Sequence, residues 1–326
     1  MIRIERLWYR SSLHPLLWPL LPLSWLFRIL VAIRRCYYRF RPSAPLPLPV
    51  IIVGNISVGG SGKTPLVAQL VQKLTQSGWR VGIVSRGYGG KGGEAIQRVS
   101  ADSDPALVGD EPRLLAELCA VPLVVGRDRR QAALYLWRHF EVDLVISDDG
   151  LQHYRLPRDM ELVVVDGERR FGNGHLLPVG PLREPPARLK EADMVICHRG
   201  AAAAGEWPMV SGLADVVNLV SGETRTLAAF RRRRVHAVAA IGYPQRFFVA
   251  LEEAGLIVES HPFADHHPFI EDDLAFNDSL PVLMTAKDGV KCRSFASDNW
   301  WVVALESALP EPFWEALKQQ LARVRR

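Results

Sequence analysis

Residues 50–64 read VIIVGNISVGGSGKT: Val50 to Val53, then Gly54-Asn55-Ile56, then Ser57-Val58-Gly59-Gly60-Ser61-Gly62-Lys63-Thr64. A run of branched apolar residues without alternation marks a strand buried on both faces. The residues behind it follow the phosphate-loop pattern GxxxxGK(S/T), which joins a strand to a helix. One position departs from it: Ser57 stands where the first glycine is usual. Gly59, Gly60 and Gly62 still let the backbone curl so that its N–H groups face one point. Lys63 would then reach the β- and γ-phosphates of a nucleotide, and the Thr64 hydroxyl would bind Mg2+. Pro65 suits the start of the next helix, whose positive N-terminus faces the same anion.

The same kind of apolar run recurs at 81–85, 121–125, 143–147, 161–166 and 194–198. Helix-length segments lie between several of them, such as 65–77 and 112–119. This is the βαβ pattern of a helix-covered parallel sheet. The expected fold is α/β: a P-loop NTPase-like, mostly parallel sheet with helices on both faces. The series restarts at 235–242, 256–260, 281–286 and 300–307, which predicts a second, smaller α/β domain. The arginine run Arg231 to Arg234 reads as a solvated linker at the restart. The expected division is 1–41, 42–225 and 226–326, with the proline-rich PSAPLPLP at 42–49 as the first linker.

With 326 residues, 48% hydrophobic and 23% charged, the chain is neither disordered nor a disulfide miniprotein. A net charge of +5 is too mild to argue for nucleic acid and suits an anionic lipid or a phosphorylated substrate. The four cysteines form no CxxC pair and read as reduced, buried thiols. Residues 16–33, LLWPLLPLSWLFRILVAI, carry one charge, Arg28. Arg3, Arg6 and Arg10 precede this stretch; Arg34, Arg35, Arg39 and Arg41 follow it. Trp8, Tyr9, Trp18, Trp25, Tyr37 and Tyr38 are interfacial types. The favoured reading is a helical membrane-associating segment lying on an anionic membrane surface. A hairpin packed on protein and a true span are the alternatives. Removing residues 1–33 is expected to harm lipid use more than ATP hydrolysis.

A phosphate loop needs carboxylates for its metal. Asp148 and Asp149, at the end of the run 143–147, suit that role, although Asp-Asp-Gly could also be a plain turn. Two other patterns lead elsewhere. Gly87 to Gly92 matches GxGxxG but lacks the helix that a dinucleotide fold requires, so it reads as a loop in which Arg86 and Lys91 could meet an anion. Thr285-Ala286-Lys287-Asp288 is the nearest approach to the NKxD of a GTPase, with the lysine one place late.

Several blocks together resemble the tetraacyldisaccharide 4'-kinase family, the lipid A 4'-kinases: VGNISVGGSGKTP, SRGYGG (85–90), VGDEP (108–112), SDDGLQHYRL (147–156), PLREP (181–185), IGYPQRFF (241–248), FADHHPF (263–269) and TAKDGVKC (285–292). They run in order through nearly the whole chain. Ala264, Ala286 and Gly289 depart from the family's usual Pro, Glu and Ala. The resemblance implies transfer of the ATP γ-phosphate to the 4'-hydroxyl of an acylated glucosamine disaccharide 1-phosphate. The product would be lipid IVA of lipid A biosynthesis, made at the cytoplasmic face of a Gram-negative inner membrane. It implies ATP and Mg2+ as cofactors and neither nucleic acid nor an obligate protein partner. It implies Asp110 as catalytic base paired with His266, Lys63 as a catalytic lysine, Glu111 and Glu184 as metal-linked acids beside Thr64, Asp148 and Asp149, and Arg129 as a phosphate contact. From the residues alone, Asp110 could equally cap a helix and His266 could sit in a surface loop. The competing function is a P-loop metallochaperone or partner-switching NTPase.

Overall fold

A computed structural model of the chain describes residues 4–10, 12–87, 90 and 95–324. Among these the strands in chain order are β1 (Val50–Gly54), β2 (Val81–Ser85), β3 (Gln97–Val99), β4 (Leu123–Val125), β5 (Leu144–Asp148), β6 (Met160–Asp166), β7 (Met194–His198), β8 (Glu206–Asn218), β9 (Thr224–Arg225), β10 (Arg234–Ala239), β11 (Ile257–Pro262), β12 (Val282–Thr285) and β13 (Trp300–Ala308). The α-helices are α1 (Leu21–Phe40), α2 (Lys63–Gln76), α3 (Pro105–Val108), α4 (Asp110–Cys119), α5 (Arg129–Phe140), α6 (Gln245–Glu253), α7 (Ala286–Cys292) and α8 (Glu311–Val324).

The chain divides into two compact units, and neither is contiguous. The first gathers Met1–Ser85, Asp128–Val210 and Ala308–Arg326; the second gathers Arg86–Arg127 and Ser211–Ser307. The sequence reading instead cuts the chain after 41 and after 225, into contiguous pieces. It misses that the chain leaves the first unit after β2, re-enters it at α5, and returns with α8. Composition marks linkers, but such crossings carry no linker signal.

In the first unit β2, β5, β1, β6, β7 and the first half of β8 lie side by side in that order, each pair parallel. Every residue of β1, β2, β5 and β6 is buried, so both faces are covered. That is why these runs lack alternation. Gly82 on β2 admits Leu136 of α5 and Val142, each of which would lie 3.0 Å from an added Cβ. Helix α8 seats the fully buried Phe313 edge-on against Trp207 of β8, ring centroids 5.8 Å apart.

In the second unit β11, β10, β12 and β13 are parallel neighbours. Ser211 meets Ser307 and Leu219 meets Trp300, so the second half of β8 runs antiparallel to β13. Period-two alternation along β10 separates two cores. Val235, Ala237 and Ala239 face Phe247, Phe248 and Leu251 of α6. Val238 and Ala240 face Phe269, Leu274 and Met284.

At the N-terminus a 3-10 turn (Pro15–Leu20) leads into α1, with Pro22 in the first helical turn, where the absence of an N–H costs nothing. The helical stretch Pro15–Phe40 has a mean hydropathy of 1.9 in its most apolar window and is long and apolar enough to cross a membrane. Trp25, Leu26, Ile29, Leu30 and Ile33 are exposed. On its other side, Ser24 Oγ donates to the carbonyl of Leu176 (2.8 Å) and Arg35 pairs with Glu191 (2.7 Å). The four cysteines are free, as expected, but only Cys197 and Cys292 are buried; Cys119 is half-buried and Cys36 is exposed on α1.

Candidate active site

The carboxyl ends of parallel strands hold the first constellation. β1 ends at Gly54, and beside it β5 ends with Asp148 in register with Val53. The loop between β1 and α2 is pinned from outside: Val58 N donates to Pro181 O (2.8 Å), and Ser57 bridges Leu182. Gly59 and Gly62 adopt φ of +100° and +93°, which only glycine takes without strain. At Gly62 an added Cβ would sit 2.1 Å from Nδ1 of His198, which also donates to the Ser61 carbonyl (3.0 Å). The sequence reading does not single out His198. Its signal was its position, the last residue of a buried strand.

Lys63, the first residue of α2, is 9% exposed and lies 3.3 Å from Asp149 Oδ1. Arg183 Nη1 lies 3.1 Å from Asp149 Oδ2, and Arg129 donates to the Asp149 carbonyl (2.6 Å). Burial alone would raise the Asp149 pKa, but Lys63, Arg183 and Arg129 outweigh it and hold this carboxyl well below the usual aspartate range. Asp148 is 1% exposed, and its Oδ2 accepts from Ser85 Oγ (3.2 Å). The buried Ser61 Oγ and Asn55 Oδ1 meet no hydrogen-bond partner among the described residues, as befits a loop shaped for a polar ligand.

The expected metal set separates. Asp149 spends its carboxylate on Lys63 and Arg183. Glu184, fully buried, is clamped by Arg188 (3.4 Å), Arg35 (3.6 Å) and Gln152 (2.9 Å), so its expected link to a metal is replaced by an arginine network. Glu111 lies 3.4 Å from Lys287. Among the described residues no three acidic, histidine or cysteine side chains form a metal-holding group. Mg2+ asks for less: it takes one or two protein oxygens and completes its shell with water and substrate phosphates. Thr64 and Asp148 fit that donor set. Arg129, expected on a phosphate, braces the β5 end through Asp149 O and Ser147 Oγ (3.4 Å).

The second unit holds the other constellation. His266 Nδ1 donates to Asp110 Oδ2 (3.0 Å). Asp110 is the first residue of α4, and Gly109 is its cap at φ +93°, so the capping alternative for Asp110 falls away. His266 takes φ +61°, uncommon for a side-chain-bearing residue, and its N–H donates to Ala240 O at the end of β10 (3.2 Å). Its Nε2 accepts from Lys287 Nζ (3.5 Å), which also neighbours Asp265 (3.7 Å). Burial raises the Asp110 pKa, but the His266 hydrogen bond and the charges of Lys291 and Lys287 outweigh it, holding the carboxyl below its ordinary range. Asp288 is fully buried on Thr285 Oγ1 (2.6 Å), Ala240 N (3.0 Å) and Lys291 (2.7 Å). That explains the failed resemblance to NKxD: the aspartate fixes the turn that presents Lys287. In the GxGxxG segment, Gly87 takes φ +71° and Val108 O would lie 3.2 Å from an added Cβ; Tyr88, Gly89, Lys91 and residues 92–94 lie outside the described residues, as does Arg3.

A buried parallel sheet, a glycine loop opening a helix with Lys63 at its first position, and acids on the adjacent strand define a P-loop nucleotide-binding protein of the α/β class. The model of the tetraacyldisaccharide-1-P 4'-kinase family matches residues 16–322. The chain belongs to that family. It is 51% identical over 325 residues to the tetraacyldisaccharide 4'-kinase of Methylobacillus flagellatus, covering 98% of this chain and 96% of that protein. It is 50% identical over 325 residues to the enzyme of that name from Nitrosococcus oceani, covering 98% and 95%. The solved structure of LpxK from Aquifex aeolicus in complex with ATP aligns with TM-score 0.81 and 29% identity, covering 95% of this chain and 99% of that one.

Proposed function

We propose that this chain transfers the γ-phosphate of ATP to the 4'-hydroxyl of a tetraacylated glucosamine disaccharide 1-phosphate. The observation that carries the reading is the placement of Lys63 at the head of α2, behind a loop held open by Gly59 and Gly62. The backbone N–H groups of 59–64 bind phosphate oxygens, and Lys63 neutralises charge on the transferring group. Thr64 and Asp148 would hold Mg2+, which would supply charge compensation on the phosphates. Asp110 takes the hydroxyl proton, with His266 Nδ1–H fixing which oxygen faces the acceptor. A base held ionised at working pH suffices, because a loose phosphoryl-transfer transition state asks for little proton removal before the new bond forms.

The substrate's acyl chains fit an enzyme carrying the apolar surface of α1, and supply of ATP places the reaction on the cytoplasmic side of the membrane. The test is transfer of label from γ-labelled ATP to a synthetic tetraacyl disaccharide 1-phosphate in mixed micelles. Label in the disaccharide at the 4'-position supports the kinase. ATP consumption that ignores the glycolipid supports the partner-switching NTPase instead.

A further inference from the structure

The N-terminal segment is wired into the phosphate loop. Leu7, Trp8 and Leu17 are buried with Val179 in an apolar cluster, and Val58 of the loop packs on that cluster beside Leu177. The Trp8 indole N–H donates to Pro178 O (3.1 Å), and its carbonyl accepts from Asn173 N (2.7 Å). Gly172 makes room for it: an added Cβ would lie 2.6 Å from Trp8 O. The stretch that Trp8 grips is the one that pins the loop, through Pro181 O to Val58 N and through Leu182 to Ser57. Ser24 of α1 ties to the same stretch at Leu176.

A second path is ionic. Arg35 of α1 lies 3.6 Å from Glu184 Oε2, and Glu184 Oε1 accepts from Gln152 Nε2 (2.9 Å). Gln152 Nε2 also donates to Asn55 O (2.9 Å), at the start of the loop. Gln152 Oε1 accepts from Arg183 (3.3 Å), which holds Asp149, the partner of Lys63. A loop built on glycines at positive φ has many alternative conformations, so its shape depends on such external supports.

We propose that Trp8, Leu17 and Arg35 are positioning residues for nucleotide binding, so that the phosphate loop is competent only while the N-terminal segment is seated. This rests on reading the loop as the ATP site. It reverses the expectation from sequence that losing residues 1–33 harms lipid use more than ATP use.

The test measures ATP affinity by calorimetry on the full chain in detergent micelles, where membrane partition does not limit. Trp8→Ala and Leu17→Ala should each weaken ATP binding roughly tenfold, the scale of coupling carried through packed contacts. Arg35→Met should weaken it roughly threefold, with Arg35→Lys recovering part of the loss. The outward-facing double variant Trp25→Ser/Ile29→Ser should keep the ATP dissociation constant and lose sedimentation with anionic vesicles. Wild-type affinity in both alanine variants overturns the proposal, even if their vesicle binding falls. Should either fail to fold, Leu17→Val decides: weaker ATP binding at a nearly unchanged melting temperature supports the idea, and unchanged binding overturns it. A wild-type chain that binds no ATP sinks the functional reading instead, so the two failures are distinguishable.

Discussion

Lys63 and Asp149 form a pair that sequence places on separate motifs and the fold brings to 3.3 Å. Lys63→Met should lower phosphate transfer by about 10²- to 10³-fold, the usual effect of removing one preorganised charge-stabilising donor. A rate within a few-fold of wild type would remove the lysine from the reaction. Asp149 also carries a pH signature. Its pKa is lowered from 3.8, so its contribution to stability is complete above that value and is lost as pH falls through the lowered one. The melting-temperature gap between wild type and Asp149→Asn should therefore be constant from about pH 7 to 5 and shrink below about pH 4. A gap independent of pH would mean that the charge is not what stabilises. Asp110 and His266 form the other pair. Asp110→Ala and His266→Ala should each lower kcat by about 10²- to 10⁴-fold, and the double variant should be little worse than the worse single, because the two act as one unit. Fully multiplicative losses would separate them. Because the His266 hydrogen bond and the neighbouring lysines hold Asp110 ionised, the acid limb of kcat should move to higher pH in His266→Ala, which removes that hydrogen bond.

The phosphate loop and the helix behind it form the element on which the chemistry hangs. Its tightest constraint is Gly62, whose φ of +93° and contact with the His198 ring exclude any side chain. Gly62→Ala should cost more than about 1 kcal/mol of stability and abolish ATP binding, whereas Gly60→Ala, with open space around it, should leave the melting temperature nearly unchanged. Equal effects at the two glycines would show that the His198 contact does not matter. Strand β5, ending in Asp148 on one register row with Val53, was legible because buried parallel strands read as unbroken apolar runs. Strand β8 was not. Pro208 and Gly212 interrupt it, and its faces are half-exposed, so neither alternation nor a continuous run survives.

Across the complete chain, the first unit is closed by its last helix. Phe313 is fully buried and Trp314, Leu317 and Leu321 are nearly so. Phe313→Ala should destabilise by about 3–5 kcal/mol, measured by denaturant unfolding in micelles. For the same reason a fragment spanning 42–225 should fail to fold alone, since it lacks α8 and ends before β10, β11, β12 and β13, the parallel strands of the second unit. A soluble, cooperatively melting 42–225 fragment would contradict the division into units seen here. The arginine–carboxylate network at Arg188, Glu161 and Glu184 belongs to this level too. These side chains are nearly fully buried, with Arg188 Nη2 2.5 Å from Glu161 Oε2. Arg188→Met should therefore destabilise by about 3 kcal/mol, because it removes the cation shared by two buried carboxylates and leaves them only Arg158 and Arg35.

The local grammar of this chain is written in its sequence. Unbroken apolar runs, a glycine loop before a lysine and a threonine, and an apolar arginine-flanked N-terminus depend only on near neighbours, so strand type, nucleotide loop and apolar helix follow from the residues themselves. The eight ordered blocks add the family. Tertiary structure alone decided which distant residues share a charge. Asp149 belongs to Lys63 and Arg183, Glu184 to Arg188 and Arg35, and Glu111 to Lys287, whereas the pairing of His266 with Asp110 was already implied by the family blocks. An acid in sequence is only an acid; whether it faces a metal, an arginine or a histidine is set by where buried strands end and by the desolvation that forces each carboxylate to find a partner. The seating of Trp8 beneath the phosphate loop is of the same kind, since nothing in residues 1–20 names a partner more than a hundred positions away.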